Sequence, residues 1–166
     1  MNPTSRFSTF FFVLFCALSC YSYGTAMMDY FLVYPSRFLV GDEDFIEYHK
    51  LLESAILPIS VYPFLLIIVM NFVVLWFKPF GISKTLVWIS LICLVLDLIS
   101  TALFQAPWNI ALSAGKNVAL MQKITDTNWV RIFLESTQAI IVVMMLYQRC
   151  TIISDNPSSA VEMPRA

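Results

Sequence analysis

The sequence predicts an all-α integral membrane protein, built as an antiparallel four-helix bundle. Of its 166 residues, 59% are hydrophobic and 13% are charged, with a mean hydropathy of +0.76. Soluble domains have about 25% charged residues. Apolar runs long enough to cross a bilayer occur four times. We therefore predict one membrane domain over residues 1–153, with spans at about 7–34, 53–77, 85–105 and 129–147.

The first predicted span follows Arg6. Its opening run, Phe10–Phe15, together with Ala17-Leu18-Ser19-Cys20, also resembles a secretory signal. The apolar character resumes over 26–33, which a cleaved signal would not require, so an uncleaved span is expected. Pro35 is predicted to end this helix, because proline lacks an N–H group and restrains the residue before it.

Prolines also mark the second and third spans. The second follows an acidic connection, 36–50, and Pro58 and Pro63 are predicted to bend its first half. A lysine-flanked turn, 78–84, leads to the third span, which Ala106-Pro107-Trp108 is predicted to close or kink.

The segment between the third and fourth spans, 109–126, is too polar to cross a membrane. Its apolar residues at 118–124 predict a short amphipathic helix at the interface. Asp126 or Thr127 is predicted to cap the fourth span. Residues 154–166 are rich in proline and serine, so we predict a disordered cytoplasmic tail.

The distribution of Lys and Arg favours cytoplasmic termini by a small excess. With that topology, the cytoplasmic side would hold Arg6, Lys78, Lys84, Arg149 and Arg165, and the outer side Arg37, Lys50, Lys116 and Lys123. Arg131 would lie just inside the membrane, as the single basic residue within a span.

Several classes of site are disfavoured. A formal net charge of -1 provides no basic surface for nucleic acid. The four cysteines form no CxxC pair and lie in or beside apolar runs, so we interpret them as packing residues. One histidine cannot build a His-rich metal site or a bis-His haem site within one chain, so no metal site is predicted. The cofactor, if any, and the oligomeric state stay open.

The fourth span carries the most informative pattern. Asn128, Arg131, Glu135 and Gln138 recur at i, i+3, i+7 and i+10, so they form one polar stripe on a helix. Ionisable groups at membrane depth are costly unless they face a partner or water. The stripe is therefore expected to face the other helices, with Arg131 paired to Asp97 or Glu135.

Polar residues of the other spans should lie in the same outer half of the bilayer. Hydrogen-bonding glue between helices would explain them, and so would a water-accessible pocket for a ligand, an ion or a proton. The predicted pocket residues are His49, Glu53, Asp97, Thr101, Gln105, Asn128, Arg131, Glu135 and Gln138.

Two stretches carry a resemblance to a family of uncharacterised bacterial four-span membrane proteins. One is Val33-Tyr34-Pro35 followed by Gly41, Phe45 and Tyr48-His49. The other contains Gln105-Ala106-Pro107, Gly115 and Thr127-Asn128-Trp129-Val130-Arg131. The chain also distantly resembles the anthrone-oxygenase-like four-span proteins. The resemblance implies the fold, the pocket position and a location in the plasma (inner) membrane of a bacterium. It implies no established reaction, because Asn109 stands near where a second histidine is expected.

Three functional hypotheses remain. The leading one is a pocket in the membrane that binds a small or lipid-soluble ligand, with a redox enzyme as one form of it. The alternatives are a transporter or proton- or ion-coupled accessory subunit, and a structural partner in a membrane complex. The bilayer is the one partner that composition predicts directly.

Overall fold

The computed structural model describes residues 3–77 and 79–155. All of the regular secondary structure in this part of the chain is helical. Four of its helices are long and apolar enough to cross a membrane. They are span 1 (Arg6–Arg37), span 2 (Phe45–Trp76), span 3 (Lys84–Leu112) and span 4 (Val118–Ile152). The prediction of an all-helical protein with four candidate spans is confirmed, and each span is longer than predicted.

Each of the first three spans is one helix that contains a π-helical turn of five residues. Span 1 consists of α1 (Pro3–Met28), π1 (Asp29–Val33) and α2 (Tyr34–Arg37). Span 2 consists of α3 (Phe45–Ile56), π2 (Leu57–Val61) and α4 (Tyr62–Trp76), and span 3 of α5 (Lys84–Ser100), π3 (Thr101–Gln105) and α6 (Ala106–Leu112). Span 4 joins α7 (Val118–Thr127) to α8 (Trp129–Asp155).

Prolines explain where the π turns occur. Pro35, Pro63 and Pro107 are each the second residue of the α-helix that follows a π turn. In a regular α-helix the proline ring clashes with the carbonyl four residues earlier. The wider π turn inserts one residue and moves that carbonyl away, so the helix continues. The prediction that Pro35 ends span 1 is therefore wrong, and Pro107 does not close span 3.

The spans form antiparallel hairpins. Near the chain termini, the Ser8 hydroxyl donates to the Phe77 carbonyl, and the Ser83 amide donates to Gln148 Oε1 at 2.9 Å. Gly81 has φ of +90° in the turn between spans 2 and 3, a conformation that other residues rarely adopt. We call this end of the bundle the terminal half, and the opposite end the cavity half.

The bundle has two apolar clusters separated along its length. Helix α1 packs against α4 and α8, and α5 packs against the same two helices. All four spans contribute to the main core in the terminal half, which includes Phe15, Ile67, Val87 and Met145. A smaller cluster closes the far end, formed by Tyr34, Phe45, Leu112, Met121 and Ile124.

The residues predicted as a short helix between spans 3 and 4 form α7, which is the first part of span 4 and packs against α2, α6 and α8. Neither predicted cap acts as expected. The Thr127 hydroxyl donates back to the carbonyls of Lys123 and Ile124, and Asp126 accepts from Gln122.

Residues 154 and 155, predicted as the start of a disordered tail, belong to α8, which continues to Asp155. The rest of that tail, 156–166, and Lys78 of the predicted turn lie outside the described residues. All four cysteines are free thiols: Cys16 and Cys93 lie in the main core, whereas Cys20 and Cys150 are exposed.

Candidate functional site

A cavity of about 450 Å³ lies in the cavity half, between the two apolar clusters. Its wall comes from all four spans, and each π turn contributes to it or to its neighbouring polar contacts. The polar lining residues are Tyr34, Arg37, His49, Glu53, Ser60, Asp97, Thr101, Gln105, Asn109 and Arg131.

The apolar part of the wall reaches the outside of the bundle. Leu57 and Leu65 of span 2 are 45% and 42% exposed, and Leu98 and Ile110 of span 3 are 37% and 68% exposed. These four side chains belong to the surfaces that would contact acyl chains. The cavity therefore has a buried polar floor and an apolar rim between spans 2 and 3.

Arg131 is at the centre of the floor. Its Nη1 lies 3.4 Å from Asp29 Oδ2, the first residue of π1, and both side chains are 10% exposed. Arg131 was expected within reach of Asp97 or Glu135; in the described residues its ion pair is with Asp29, which was not predicted as its partner. Asp97 and Glu135 still lie close enough to interact with its charge.

Asp97 and Glu135 form a second element of the site. Their carboxyl groups lie within hydrogen-bonding reach of each other, across the contact of α5 with α8. Ser22 donates to Glu135 Oε1 at 3.2 Å. Asp97 Oδ1 and Glu135 Oε2 are buried and receive no N–H or O–H donor from the described residues. Two carboxylates cannot satisfy each other, whereas one added proton would serve both oxygens.

The outer part of the wall is joined through Asn109 of α6. Its Oδ1 accepts from Arg37 Nη1 at 2.8 Å, and its backbone carbonyl lies 3.0 Å from His49 Nε2. His49 also lies 3.4 Å from Glu53 Oε1, which accepts from the Ser113 hydroxyl at 3.1 Å. One residue therefore links spans 1, 2 and 3 around the cavity.

The predicted pocket residues divide into three groups. Six line the cavity: His49, Glu53, Asp97, Thr101, Gln105 and Arg131. Two lie directly behind it: Asn128 accepts from Gln105 Nε2 at 2.7 Å, and Glu135 contacts Asp97. Gln138 is elsewhere. It faces the terminal half, three residues beyond Glu135 on the same stripe.

Gln138 belongs to a neutral network that joins all four spans. It donates to Ser19 Oγ at 3.0 Å and to Ser90 Oγ at 3.5 Å, and Asn71 Nδ2 donates to the same Ser90 oxygen at 2.8 Å. We call these residues, Ser19, Asn71, Ser90 and Gln138, the amide–hydroxyl network. Each is at most 1% exposed.

Sequence reasoning missed Arg37, Tyr34, Ser60 and Asn109. Arg37 was assigned to an outer loop, but it is 4% exposed and lies within span 1, so Arg131 is not the single basic residue in a span. The error follows from ending span 1 at Pro35. Had the helix been continued for one turn, Tyr34 and Arg37 would have shared a face, and the Arg37 guanidinium does lie 4.9 Å from the Tyr34 ring.

Within residues 3–77 and 79–155, no group of three His, Cys, Asp or Glu side chains is arranged to hold a metal ion. The site offers instead two guanidinium groups, three buried carboxyls and several neutral donors. Such a floor can bind the polar end of a molecule and can hold protons. No protein-family model, curated protein or solved structure matches this chain.

Proposed function

We propose that this protein binds a small, lipid-soluble ligand with one polar end, which enters the cavity from the bilayer between spans 2 and 3. The observation that supports the proposal is the contrast within one cavity. Its floor carries Arg131, Asp97 and Gln105, whereas its rim carries exposed leucine and isoleucine side chains. Ligand sites are typically apolar clefts with a few convergent polar groups.

The rim argues for entry through lipid. Exposed apolar side chains favour contact with acyl chains, so an apolar ligand dissolved in the bilayer meets no barrier at Leu57 or Ile110. The floor supplies the specificity. Arg131, Tyr34 and Gln105 can donate to a carbonyl, carboxylate or similar oxygen. A ligand with a compact oxygen-bearing head and an apolar body fits both parts.

The membrane placement belongs to the same proposal. Both termini would be cytoplasmic in a bacterial inner membrane, with α7 at the interface on the opposite side. Membership of the uncharacterised four-span family is proposed on the Tyr-Pro and Gln-x-Pro motifs. If the bound ligand is itself redox-active, the protein would be a redox enzyme.

The test is to identify the bound molecules by mass spectrometry of protein purified in mild detergent. In the variant Ala106→Trp, an indole at the exposed cavity edge should block the rim and remove the co-purifying molecule. Ala102→Trp is the matched control: Ala102 is also exposed on span 3, one turn earlier, and does not line the cavity. Equal retention by wild type and both variants would refute the proposed entry and binding site.

A further inference from the structure

We propose that Asp97 and Glu135, at the floor of the cavity, form a proton-binding site. The two carboxyl groups share one exchangeable proton. This inference goes beyond ligand binding and does not depend on it. It rests on the geometry of the acid pair and on the balance of buried charge around it.

The first argument is hydrogen-bond satisfaction. Asp97 is 2% exposed and Glu135 is 2% exposed, and each keeps one buried oxygen without a donor. A buried polar atom without a partner costs about 1–3 kcal/mol, and more when it is charged. A proton between the two carboxyls supplies the missing donor to both groups. Paired carboxyl groups that share one proton are an established arrangement in proteins.

The second argument is charge. Apart from His49, which lies beside Glu53, the buried groups that normally carry a charge in this half of the bundle are two cations, Arg37 and Arg131, and three acids, Asp29, Asp97 and Glu135. Uncompensated buried charge is strongly unfavourable, above all between membrane helices. One proton makes this cluster neutral.

The neighbours from every packed element are consistent with that balance. Span 1 presents Asp29 and Tyr34, with Arg37 beside both of them, and span 4 presents Arg131 on the same helix as Glu135. Span 2 faces the cavity with His49 and Glu53, which lie 3.4 Å apart. The Glu53 side chain is 41% exposed, so solvent or ligand can compensate its charge.

The position of the pair also allows exchange. Asp97 lines the cavity, whereas Glu135 lies behind it against Ser22. A proton that enters or leaves through the cavity therefore passes by Asp97, and Glu135 acts as its buried partner. Ligands that bring a positive charge to Asp97 would compete with the proton.

Infrared spectroscopy of the purified protein tests the proposal without a ligand. At about pH 7.5, exposed carboxyls are ionised. The wild type should still show the carbonyl band of a protonated carboxylic acid, and this band should shift in D₂O. Since the proton needs both carboxyls, Asp97→Asn and Glu135→Gln should each abolish the band completely. Arg131→Gln removes one cation, so the cluster should take up a second proton and the band should grow about twofold.

Asp126→Asn, at an exposed acid of α7, should leave the band unchanged. The absence of a D₂O-sensitive band from the wild type would overturn the proposal. Persistence of the band in either Asp97→Asn or Glu135→Gln would also overturn it, because one acid would then hold its proton alone. The wild-type spectrum decides the first point even if a variant does not fold.

Discussion

The two polar regions of this bundle differ in charge and in the open volume beside them. The amide–hydroxyl network contains neutral groups, links all four spans and lies within close-packed core. The site around Arg131 contains buried charges and borders a cavity of about 450 Å³. Both regions keep buried oxygens that receive no donor from the described residues: Asn71 Oδ1 in the network, and one oxygen each of Asp97 and Glu135 in the site. Only the charged site was expected from the sequence, which assigned Gln138 to it and did not predict the amide–hydroxyl network.

Neutral groups between membrane helices can satisfy each other, and each such bond contributes a modest stabilisation. Buried charges cost far more and are retained where they serve a site. Open volume beside charge is the second distinction, because packed helices otherwise have few voids. Hydrogen bonding between helices therefore explains the amide–hydroxyl network, whereas for the cluster of Asp97, Arg131 and Glu135 we propose a binding role in addition.

The largest expected effect comes from Arg131→Gln. The substitution removes the ion pair with Asp29 and leaves three buried acids facing Arg37 alone. Removing one partner of a buried pair costs about 3–5 kcal/mol in soluble proteins. Interactions between membrane helices are weaker, so we expect a loss of about 3 kcal/mol in the free energy of unfolding.

Unfolding of the detergent-solubilised protein by a denaturing detergent measures this difference. Arg6→Gln is the control, since Arg6 is exposed at the start of span 1 and its loss should leave stability unchanged. Equal stability of the two variants would mean that Arg131 is not the electrostatic centre of the site.

A smaller loss is expected from Asn109→Ala. The substitution removes the acceptor of the 2.8 Å bond from Arg37, while the backbone carbonyl that contacts His49 remains. A buried donor left without its partner costs about 1–3 kcal/mol. Gln122→Ala, at an exposed position of α7, should leave the free energy of unfolding almost unchanged in the same measurement. If both variants matched the wild type, Asn109 would not be what holds the cavity wall together.

Much of the fold was predictable because the bilayer imposes it. Hydrophobic length identified four helices, and the period of the stripe from Asn128 to Gln138 identified the face of span 4 that is buried. The same period does not predict which residues of the stripe lie at the cavity and which lie beyond it. Gln138 follows Glu135 by three residues, yet it bonds in the amide–hydroxyl network.

The wrong predictions concern features that depend on tertiary structure and not on local sequence. Proline was taken as the end of span 1, but the π turn at Asp29 allows the helix to continue to Arg37. The partner of Arg131 depends on which helices are neighbours, and antiparallel order alone does not determine that. The role of Asn109 could not be predicted from a sequence pattern, because its contacts join span 3 to residues of spans 1 and 2.

The smallest effect, and the sharpest comparison, comes from Gln138→Leu. Leucine has a similar volume and removes the donor to Ser19 and Ser90. Ser90 keeps its bond from Asn71, and the Ser19 hydroxyl can donate to a carbonyl of its own helix. We therefore expect a loss of about 0.6 kcal/mol, the average for such bonds between membrane helices.

Thr137→Leu, at the neighbouring position outside the network, controls for a leucine added to α8 and should be close to neutral. Retention of the co-purifying ligand should be unchanged in Gln138→Leu, because Gln138 does not line the cavity. If Gln138→Leu instead lost as much stability as Arg131→Gln, the amide–hydroxyl network would be as critical as the charged site. The distinction between glue and site would then have to rest on ligand binding and the infrared band, since stability would no longer separate the two regions.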